Sequence, residues 1–170
     1  MMSPEWRQLP DAIRNTIVEH QADGPTRLSA LARALQVELK AATLKPGISG
    51  EIRKKEDGNY RIRINRHDPS RRQRFTVAHE LAHFLLHQDE IGDGIEEDKL
   101  YRSTLSDIRE QQANRLAADI LMHPKSVREA YEEALEIGVG DPVLYIAEAL
   151  NVSEAAAEIR LKVLGYEINA

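Results

Sequence analysis

The sequence predicts an α+β fold, in which one small antiparallel sheet of about three strands is surrounded by about six or seven helices. Three observations lead to this class. Apolar residues recur at helical spacing over most of the chain. The stretch from Tyr60 to Asn65 alternates apolar and polar residues with a period of two, as a half-buried strand does. Asp57-Gly58, just before it, is typical of a hairpin turn that pairs this strand with a preceding one.

The N-terminal segment predicts two helices. The first runs from Pro10 to about Ala22 and stops at Asp23-Gly24-Pro25. Ser29 could cap the second, which we expect to continue up to the breaker Lys45-Pro46-Gly47. Four leucines would share one face of this helix: Leu28, Leu31, Leu35 and Leu39.

Further helices follow the strand. Asp68 and Pro69 are typical of a helix start. That helix carries the segment RFTVAHELAHFLLH, from Arg74 to His87, and we expect it to end near Ile91-Gly92-Asp93-Gly94. After an acid-rich loop, Ser106 or Asp107 begins the next helix, which ends before Pro124. Residues 126–164 predict two or three more helices divided by GVGDP. We divide the chain into segments 1–46, 47–125 and 126–170, all packed as one domain.

Composition excludes several classes of protein. The chain has no cysteine, so it has no disulfides and no thiolate ligands, and any metal must be bound by His, Asp or Glu. No apolar run approaches the roughly 20 residues of a membrane helix, and the N-terminus lacks the apolar stretch of a signal peptide. We therefore expect a cytoplasmic protein that does not contact a membrane. The net charge of -5 argues against a general nucleic-acid binder.

The central helix carries the motif His79-Glu80-x-x-His83. Histidines four residues apart lie one helical turn apart, so both imidazoles can reach one ion. Glu80 is rotated by about 100° from His79, too far to share that ion easily but near enough to bond a water on it. The residue counts of this chain give the motif a chance of about 0.02 in random order, and its helical setting lowers that chance further. The motif therefore predicts a zinc site with its own general base.

A catalytic zinc ion needs a third protein ligand and an open position. Glu110 and Asn114 share one face of the next predicted helix, so Glu110 could bind the metal while Asn114 accepts the ring N–H of a ligand histidine. His87 lies about 12 Å along the axis from His79, too far for one ion to bridge both, and we expect it to be structural. Flexible loops hold ligands less well than helices. Three acids of the acid-rich loop nevertheless compete with Glu110: Asp93, Glu96 and Glu97.

Two stretches around the motif share features beyond it: IRINRHDPSRRQRFTVAHELAHFLLH, which begins at Ile62, and EQQANRLAADILM, which begins at Glu110. Together they resemble the ImmA/IrrE family of zinc metallopeptidases, over roughly residues 47–124. The shared features are a strand that ends in Asn, Arg-Phe-Thr before the motif, and Glu-x-x-Ala-Asn after it. Leu116 stands where the family usually has Phe, Ala82 where Gly is frequent, and His123 is an insertion before the proline.

The resemblance implies a compact, thermolysin-like zincin core. In it His79, His83 and Glu110 would bind Zn²⁺ and Glu80 would be the general base. It also implies a metalloendopeptidase of bacteria or their mobile elements. Members of this family typically cleave helix-turn-helix repressors and so release genes for stress response or element transfer, and others work in pairs that resemble toxin–antitoxin systems.

The charge that develops on the scissile carbonyl oxygen needs a donor besides zinc, and Tyr101, His123 and Arg115 are the candidates. The strand from Tyr60 to Asn65 could offer its edge to an extended peptide, or it could be an ordinary internal strand. The sequence leaves both questions open.

The alternative function is a DNA- or partner-binding regulator, including an antitoxin-like component, whose peptidase activity is absent or needs a trigger. LARALQVELKAA, from Leu31, and IAEALNVSEAAA, from Ile146, each resemble half of a helix-turn-helix, although ordinary amphipathic corners explain them better. Residues 51–75 are rich in Lys and Arg, whereas residues 89–110 are rich in acids. Solvated faces are the simpler explanation, and an acidic partner or DNA near a repressor is the functional one.

Overall fold

The computed structural model describes residues 1–168, which form eight α-helices and one four-stranded sheet. The helices are α1 (Pro4–Gln8), α2 (Asp11–Gln21), α3 (Leu28–Ala34), α4 (Ser70–Leu86), α5 (Asp107–Leu121), α6 (Pro124–Ile137), α7 (Pro142–Leu150) and α8 (Glu154–Val163). The strands are β1 (Val37–Ala42), β2 (Ile48–Lys54), β3 (Tyr60–Asn65) and β4 (Ile95–Asp98). Across residues 1–168, no helix combines the length and the apolar character that crossing a membrane requires.

The α+β class is confirmed, but the sheet has one strand more than predicted and is mixed. Its order is β1-β3-β2-β4. The predicted hairpin is present, because β2 pairs with β3 in the antiparallel sense on either side of Asp57-Gly58. β4 is antiparallel to β2, whereas β1 is parallel to β3.

The prediction of a second helix up to Lys45 is wrong. α3 ends at Ala34, and Gln36 adopts a positive φ of 60° that turns the chain into β1. The first residues of Val37–Ala42 also alternate between apolar and polar, so the segment fits either a helix or a strand. Its pairing with β3 makes it a strand. Because that long helix is absent, the stretch from Leu31 does not form the half of a helix-turn-helix that its sequence resembles.

The other predicted helices are present. α2 matches the first, and α5 begins at Asp107 with the Ser106 side chain accepting from the Arg109 N–H. The C-terminal segment forms three helices, of which α7 and α8 make a helical corner at Asn151, a residue with a positive φ of 53°.

α4 packs on β2 and β3 of the sheet and, on another side, against α5. Small side chains on the two helices allow a close approach, and four of them have no exposed surface: Ala78, Ala82, Ala113 and Ala117. This pairing brings the middle of α4 to the first turns of α5. It is therefore the contact that builds the site described below.

The terminal segments are tied to α5 through one buried carboxylate. Asp119 has no exposed surface and accepts from the Ser3 hydroxyl at 2.5 Å and from Nη2 of Arg160 at 2.9 Å. Nε of Arg160 also donates to the Met122 carbonyl at 2.9 Å. Asp119 thus joins the N-cap of α1 and the middle of α8 to the same turn of α5.

The basic residues of the sheet lie beside acids. Nε of Arg61 is 3.0 Å from Glu38 on β1, and Nη2 of Arg53 is 3.4 Å from Glu96 on β4. Nε of Arg63 is 2.5 Å from Glu51. Of these pairs, Arg53–Glu96 joins the basic stretch of the sequence to the acid-rich one, whereas Glu38 and Glu51 lie outside the acid-rich stretch.

Candidate metal centre

α4 carries the His-Glu-x-x-His motif at its most buried turns. His79, Glu80 and His83 have no exposed surface. The helix has no glycine or proline after its start at Ser70, so one rigid element fixes the direction of all three side chains.

α5 brings Glu110 to the two histidines. Its Oε2 lies 3.1 Å from Nε2 of His79, and its Oε1 lies 3.3 Å from Nε2 of His83. The two Nε2 atoms are themselves 3.0 Å apart. The Ser103 hydroxyl donates to Oε1 of Glu110 at 2.6 Å and helps to orient the carboxylate. The three residues that the sequence nominated as ligands thus lie together.

β4 adds a fourth donor, Glu97. Its Oε1 lies 3.0 Å from Nε2 of His83 and 3.4 Å from Nε2 of His79, and its side chain has no exposed surface. Within residues 1–168, neither of its oxygens has a hydrogen-bond partner. The four donor atoms, one each from His79, His83, Glu97 and Glu110, lie within 4.8 Å of one another. From sequence Glu97 was only a competitor of Glu110; in the structure it joins Glu110.

Asn114 orients the first histidine. Its Oδ1, which can only accept, lies 2.8 Å from Nδ1 of His79, so Nδ1 carries the proton. The lone pair of Nε2 of His79 then faces Glu110 and Glu97. This is the arrangement in which an outer hydrogen bond fixes the tautomer of a metal-binding histidine.

His87 and Gln112 orient the second histidine. Oε1 of Gln112 lies 2.9 Å from Nε2 of His87 and also accepts from Nη1 of Arg109 at 3.2 Å. Nε2 of His87 therefore donates, which leaves its Nδ1 to accept from Nδ1 of His83 at 2.9 Å. Nε2 of His83 then carries a lone pair, which faces the donor atoms of His79, Glu97 and Glu110.

When both histidines are neutral, the four donor atoms therefore face one another with lone pairs and carry no hydrogen between them. Such an arrangement is repulsive unless a cation lies among them, because buried polar atoms need partners. Two imidazoles with two carboxylates also form a donor set that suits Zn²⁺. The residues fit the metal that the sequence analysis expects.

Burial and the short distances between imidazoles and carboxylates shift the pKa values of His79, His83 and Glu110 in the metal-free protein. Burial lowers the pKa of His79, but the Glu110 and Glu97 carboxylates outweigh it and raise the value to about 10. For His83, burial is outweighed in the same way and the pKa rises to about 9. Burial raises the pKa of Glu110, but its bonds to both histidines hold that pKa well below its ordinary range. Protons and a metal ion thus compete for one site, so metal binding releases protons.

Glu80 lies beside the donor group without joining it. Burial, and after it the Glu97 carboxylate, raise the pKa of Glu80 to about 8. Among the described residues, neither oxygen of Glu80 has a hydrogen-bond partner. β2 approaches α4 closely here, since a Cβ added at Gly50 would lie 2.4 Å from Cγ2 of Thr76 and 3.7 Å from Cγ of Glu80. Gly50 therefore allows the sheet to cover Glu80.

Of the three candidate transition-state donors, Tyr101 lies at the site. Its ring centroid is 5.0 Å from that of His79, and its hydroxyl is 3.3 Å from Oγ1 of Thr76. Burial raises its pKa, which keeps the phenol protonated and able to donate. It follows β4 and has a positive φ of 55°.

Arg115 and His123 make other contacts. Nε and Nη2 of Arg115 donate to both carboxylate oxygens of Glu5 on α1, at 3.0 and 2.6 Å. Nδ1 of His123 accepts from the Lys125 N–H at the start of α6, and its ring packs edge-on against Trp6. Both side chains are thus engaged in joining helices.

A groove of about 1050 Å³ runs from the site towards the N-terminal residues and α8. Phe75, Tyr101 and Asn114 line its inner end. Ile159 and Val163 of α8 line its outer part and are 64% and 65% exposed. Four basic residues without a carboxylate partner in the described part of the chain also line it: Arg7, Arg71, Arg72 and Lys99.

The sequence is similar to one known protein family. The sequence matches the Peptidase M78 family, described as the IrrE N-terminal-like domain, over residues 29–162. That span begins in α3 and includes all four strands, all four donor residues and most of α8. A search of curated proteins gives no significant match. The chain therefore belongs to the IrrE N-terminal-like family of peptidases, as its resemblance to the ImmA/IrrE family predicted.

Proposed function

We propose that the protein is a zinc-dependent metalloendopeptidase that hydrolyses a peptide bond in a regulatory protein. The observation that carries this proposal is the convergence of His79, His83 and Glu110 on one point, with Glu80 beside it and unpartnered. Membership of a peptidase family supports the reaction class. The expected substrate, a helix-turn-helix repressor, comes from the family resemblance. The expected cytoplasmic location comes from the lack of a membrane-length apolar run and of a signal-peptide stretch in the sequence.

The chemistry divides between the metal and the chain. When bound, Zn²⁺ supplies Lewis-acid polarisation of the scissile carbonyl and activation of a water molecule. The carboxylate of Glu80 accepts the proton of the attacking water and returns it to the leaving amine. Burial raises the pKa of Glu80 in the metal-free protein, and a cation bound beside it would favour the ionised carboxylate that accepts the proton.

Two further groups serve the reaction in this proposal. Asn114, through its bond to Nδ1 of His79, keeps Nε2 directed at the site. The phenol of Tyr101 lies next to His79 and can donate to the oxygen on which negative charge develops. Tyr101 is preferred because its ring lies against that of His79, whereas Nε and Nη2 of Arg115 donate to Glu5 and Nδ1 of His123 accepts from the Lys125 N–H.

The groove supports a protein substrate with apolar and acidic residues. Its walls include exposed apolar side chains, and charge complementarity favours an acidic segment because Arg7, Arg71, Arg72 and Lys99 line it. Of the described residues that line the groove, only Glu154 is acidic. A substrate segment outside the scissile bond would lie here, with its reacting end near Tyr101.

The substitution Glu80→Gln tests the proposal. It removes the proton acceptor but keeps the shape of the side chain and all metal-binding residues. We expect one bound zinc per chain and a cleavage rate lowered roughly 100- to 10,000-fold, the range for loss of general acid–base catalysis. The assay incubates the purified protein with candidate helix-turn-helix repressors, beginning with any that is encoded beside its gene, and detects cleavage by gel electrophoresis and mass spectrometry.

The matched control is Glu132→Gln, which neutralises an exposed acid on α6 away from the site. It should cleave at the wild-type rate. Cleavage by the Glu80→Gln protein at the wild-type rate would rule out the general-base role and with it this mechanism.

A further inference from the structure

Glu97 lies among the metal-binding residues, although the family motif does not include it. A catalytic zinc site has three protein ligands and keeps one position open. Here four side chains present donor atoms to one point, and the fourth comes from a strand instead of a helix. Its carboxylate is fully buried and, within residues 1–168, has no hydrogen-bond partner.

The distances from the two histidine nitrogens to the carboxylate oxygens are close to those of a tetrahedral shell, and all four donor atoms lie within 4.8 Å of one another. Metal–ligand bonds of 2.0–2.1 Å in a tetrahedron place neighbouring ligand atoms roughly 3.3 Å apart. The two histidine nitrogens are 3.0 Å apart and lie 3.1 and 3.3 Å from the nearer oxygens of Glu110. Oε1 of Glu97 lies 3.0 and 3.4 Å from the same nitrogens. Glu97 thus occupies a corner as close as that of Glu110.

β4, which carries Glu97, is the least secured strand of the sheet. It has four residues, lies at the edge, and pairs only with β2 through a register that is irregular between Ile48 and Gly50. Ile95 and Glu97 point inward, while Glu96 and Asp98 point outward. If β4 moved away from the sheet, the edge of β2 beside Glu80 would be free to pair with an extended peptide.

We propose that Glu97 is a displaceable fourth metal ligand that closes the site at rest. With Glu97 bound, no coordination corner remains for the attacking water, so the protein is inactive. The site opens when β4 withdraws and a segment of the protein substrate pairs with β2 in its place. This inference rests on the proposed peptidase function, for which it specifies the regulation.

Metal binding tests the ligand role without any substrate. Zinc affinity is measured by competition with a chromophoric chelator for the wild type, Glu97→Ala and Glu97→Gln. We expect affinity to fall at least about tenfold in Glu97→Ala, since even loss of an outer hydrogen bond to a ligand costs that much. Glu96→Gln, on the outer face of the same strand, is the matched control and should bind zinc as the wild type does. Unchanged affinity in Glu97→Ala overturns the proposal.

Access to the metal tests the closed state. Cobalt-substituted proteins are titrated with acetohydroxamate, and the visible absorption spectrum of the cobalt is followed. Glu97→Ala should respond at concentrations at least about tenfold lower than the wild type, because it has an open corner. Equal responses overturn the proposal. Circular dichroism of each variant establishes that it is folded, and Glu97→Gln, which keeps the side-chain volume, serves if Glu97→Ala is not.

Hydrogen exchange tests the withdrawal of β4. In zinc-loaded protein, the amides of Ile95–Asp98 should exchange faster in Glu97→Ala than in the wild type, while those of Tyr60–Asn65 in β3 stay unchanged. Equal exchange in β4 would show that the ligand does not hold the strand, and would overturn the proposal.

The two proposals can fail separately. If Glu97→Ala binds zinc as tightly as the wild type and responds to acetohydroxamate at the same concentrations, the fourth-ligand role fails and the peptidase function is untouched. If Glu97→Ala opens the site as expected but it and the wild type cleave no helix-turn-helix protein, the peptidase function fails while the ligand role stands.

Discussion

Nδ1 of His83 lies 2.9 Å from Nδ1 of His87, one helical turn further along α4. Since Nε2 of His87 donates to Gln112, the bond between the two histidines has one direction, from His83 to His87. His87 therefore sets the tautomer of a metal-binding residue. The sequence predicted only a structural residue at the helix end.

Removing His87 should weaken metal binding without removing a ligand. We expect His87→Ala to lower zinc affinity about 10- to 100-fold, the usual cost of losing an outer partner of a metal-binding histidine. The measurement is chelator competition at pH 7.5, with His67→Ala, at an exposed histidine, as the control. An affinity equal to that of the wild type would mean that His83 keeps its tautomer by other means.

At Gly50 the sheet lies close to α4. In Gly50→Ala the new Cβ would meet Cγ2 of Thr76 at 2.4 Å, so we expect the free energy of unfolding to fall by about 1–3 kcal/mol. The measurement is urea denaturation of the zinc-free protein. The double variant Gly50→Ala/Thr76→Ser removes that methyl group and keeps the hydroxyl, and it should regain most of the loss. Equal stabilities of the single and double variants would contradict this explanation.

The pair Glu5–Arg115 predicts a pH-dependent contribution to stability. The Arg115 guanidinium holds the pKa of Glu5 below its ordinary value of 4.5. A lowered carboxyl pKa adds stability that is fully present above 4.5 and is lost as the pH falls through the folded-state value. Glu5→Gln should therefore lower the free energy of unfolding by about 1 kcal/mol at pH 7, since Arg115 is half exposed, and by less at pH 3. A difference that does not change with pH would exclude the ion pair as its source.

The groove predicts which surface residues affect substrate binding. Ile159→Glu places a negative charge on its apolar wall, and we expect the Kd for the helix-turn-helix substrate to rise roughly tenfold, or about 1.4 kcal/mol. Binding is measured to the inactive Glu80→Gln protein. Leu135→Glu, at a 57% exposed position on α6, is the control and should have no effect. Equal effects of the two substitutions would show that the substrate does not use the groove.

The site residues that lie on the same helix could be predicted from the sequence. His79, Glu80 and His83 follow from spacing within α4, and the pair Glu110 and Asn114 follows from spacing within α5. What brings the two helices together is packing of buried small residues, which spacing within either helix does not report. The family resemblance, not the periodicity, supplied that link.

Glu97 and β1 show where local patterns are insufficient. Glu97 lies in a stretch with glycines at 92 and 94, which indicated a loop, yet pairing with β2 makes it a strand with alternate residues inward. The leucines from Leu28 to Leu39 fit a helical face, but Val37–Ala42 pairs with β3. Val37–Ala42 begins with alternating apolar and polar residues, which fit a strand as well as a helix, whereas Ile95–Asp98 is one apolar residue followed by three acids and carries no such pattern. In both cases pairing with a neighbouring strand decides the structure.

Metal stoichiometry tests the central claim most directly. After incubation with excess zinc and gel filtration, elemental analysis of the wild type and of Glu80→Gln should give one zinc per chain. The single variants His79→Ala, His83→Ala and Glu110→Ala should retain far less, although all remain folded by circular dichroism. A wild type that retains no zinc, or a His79→Ala protein that retains as much as the wild type, would contradict the assignment of this site.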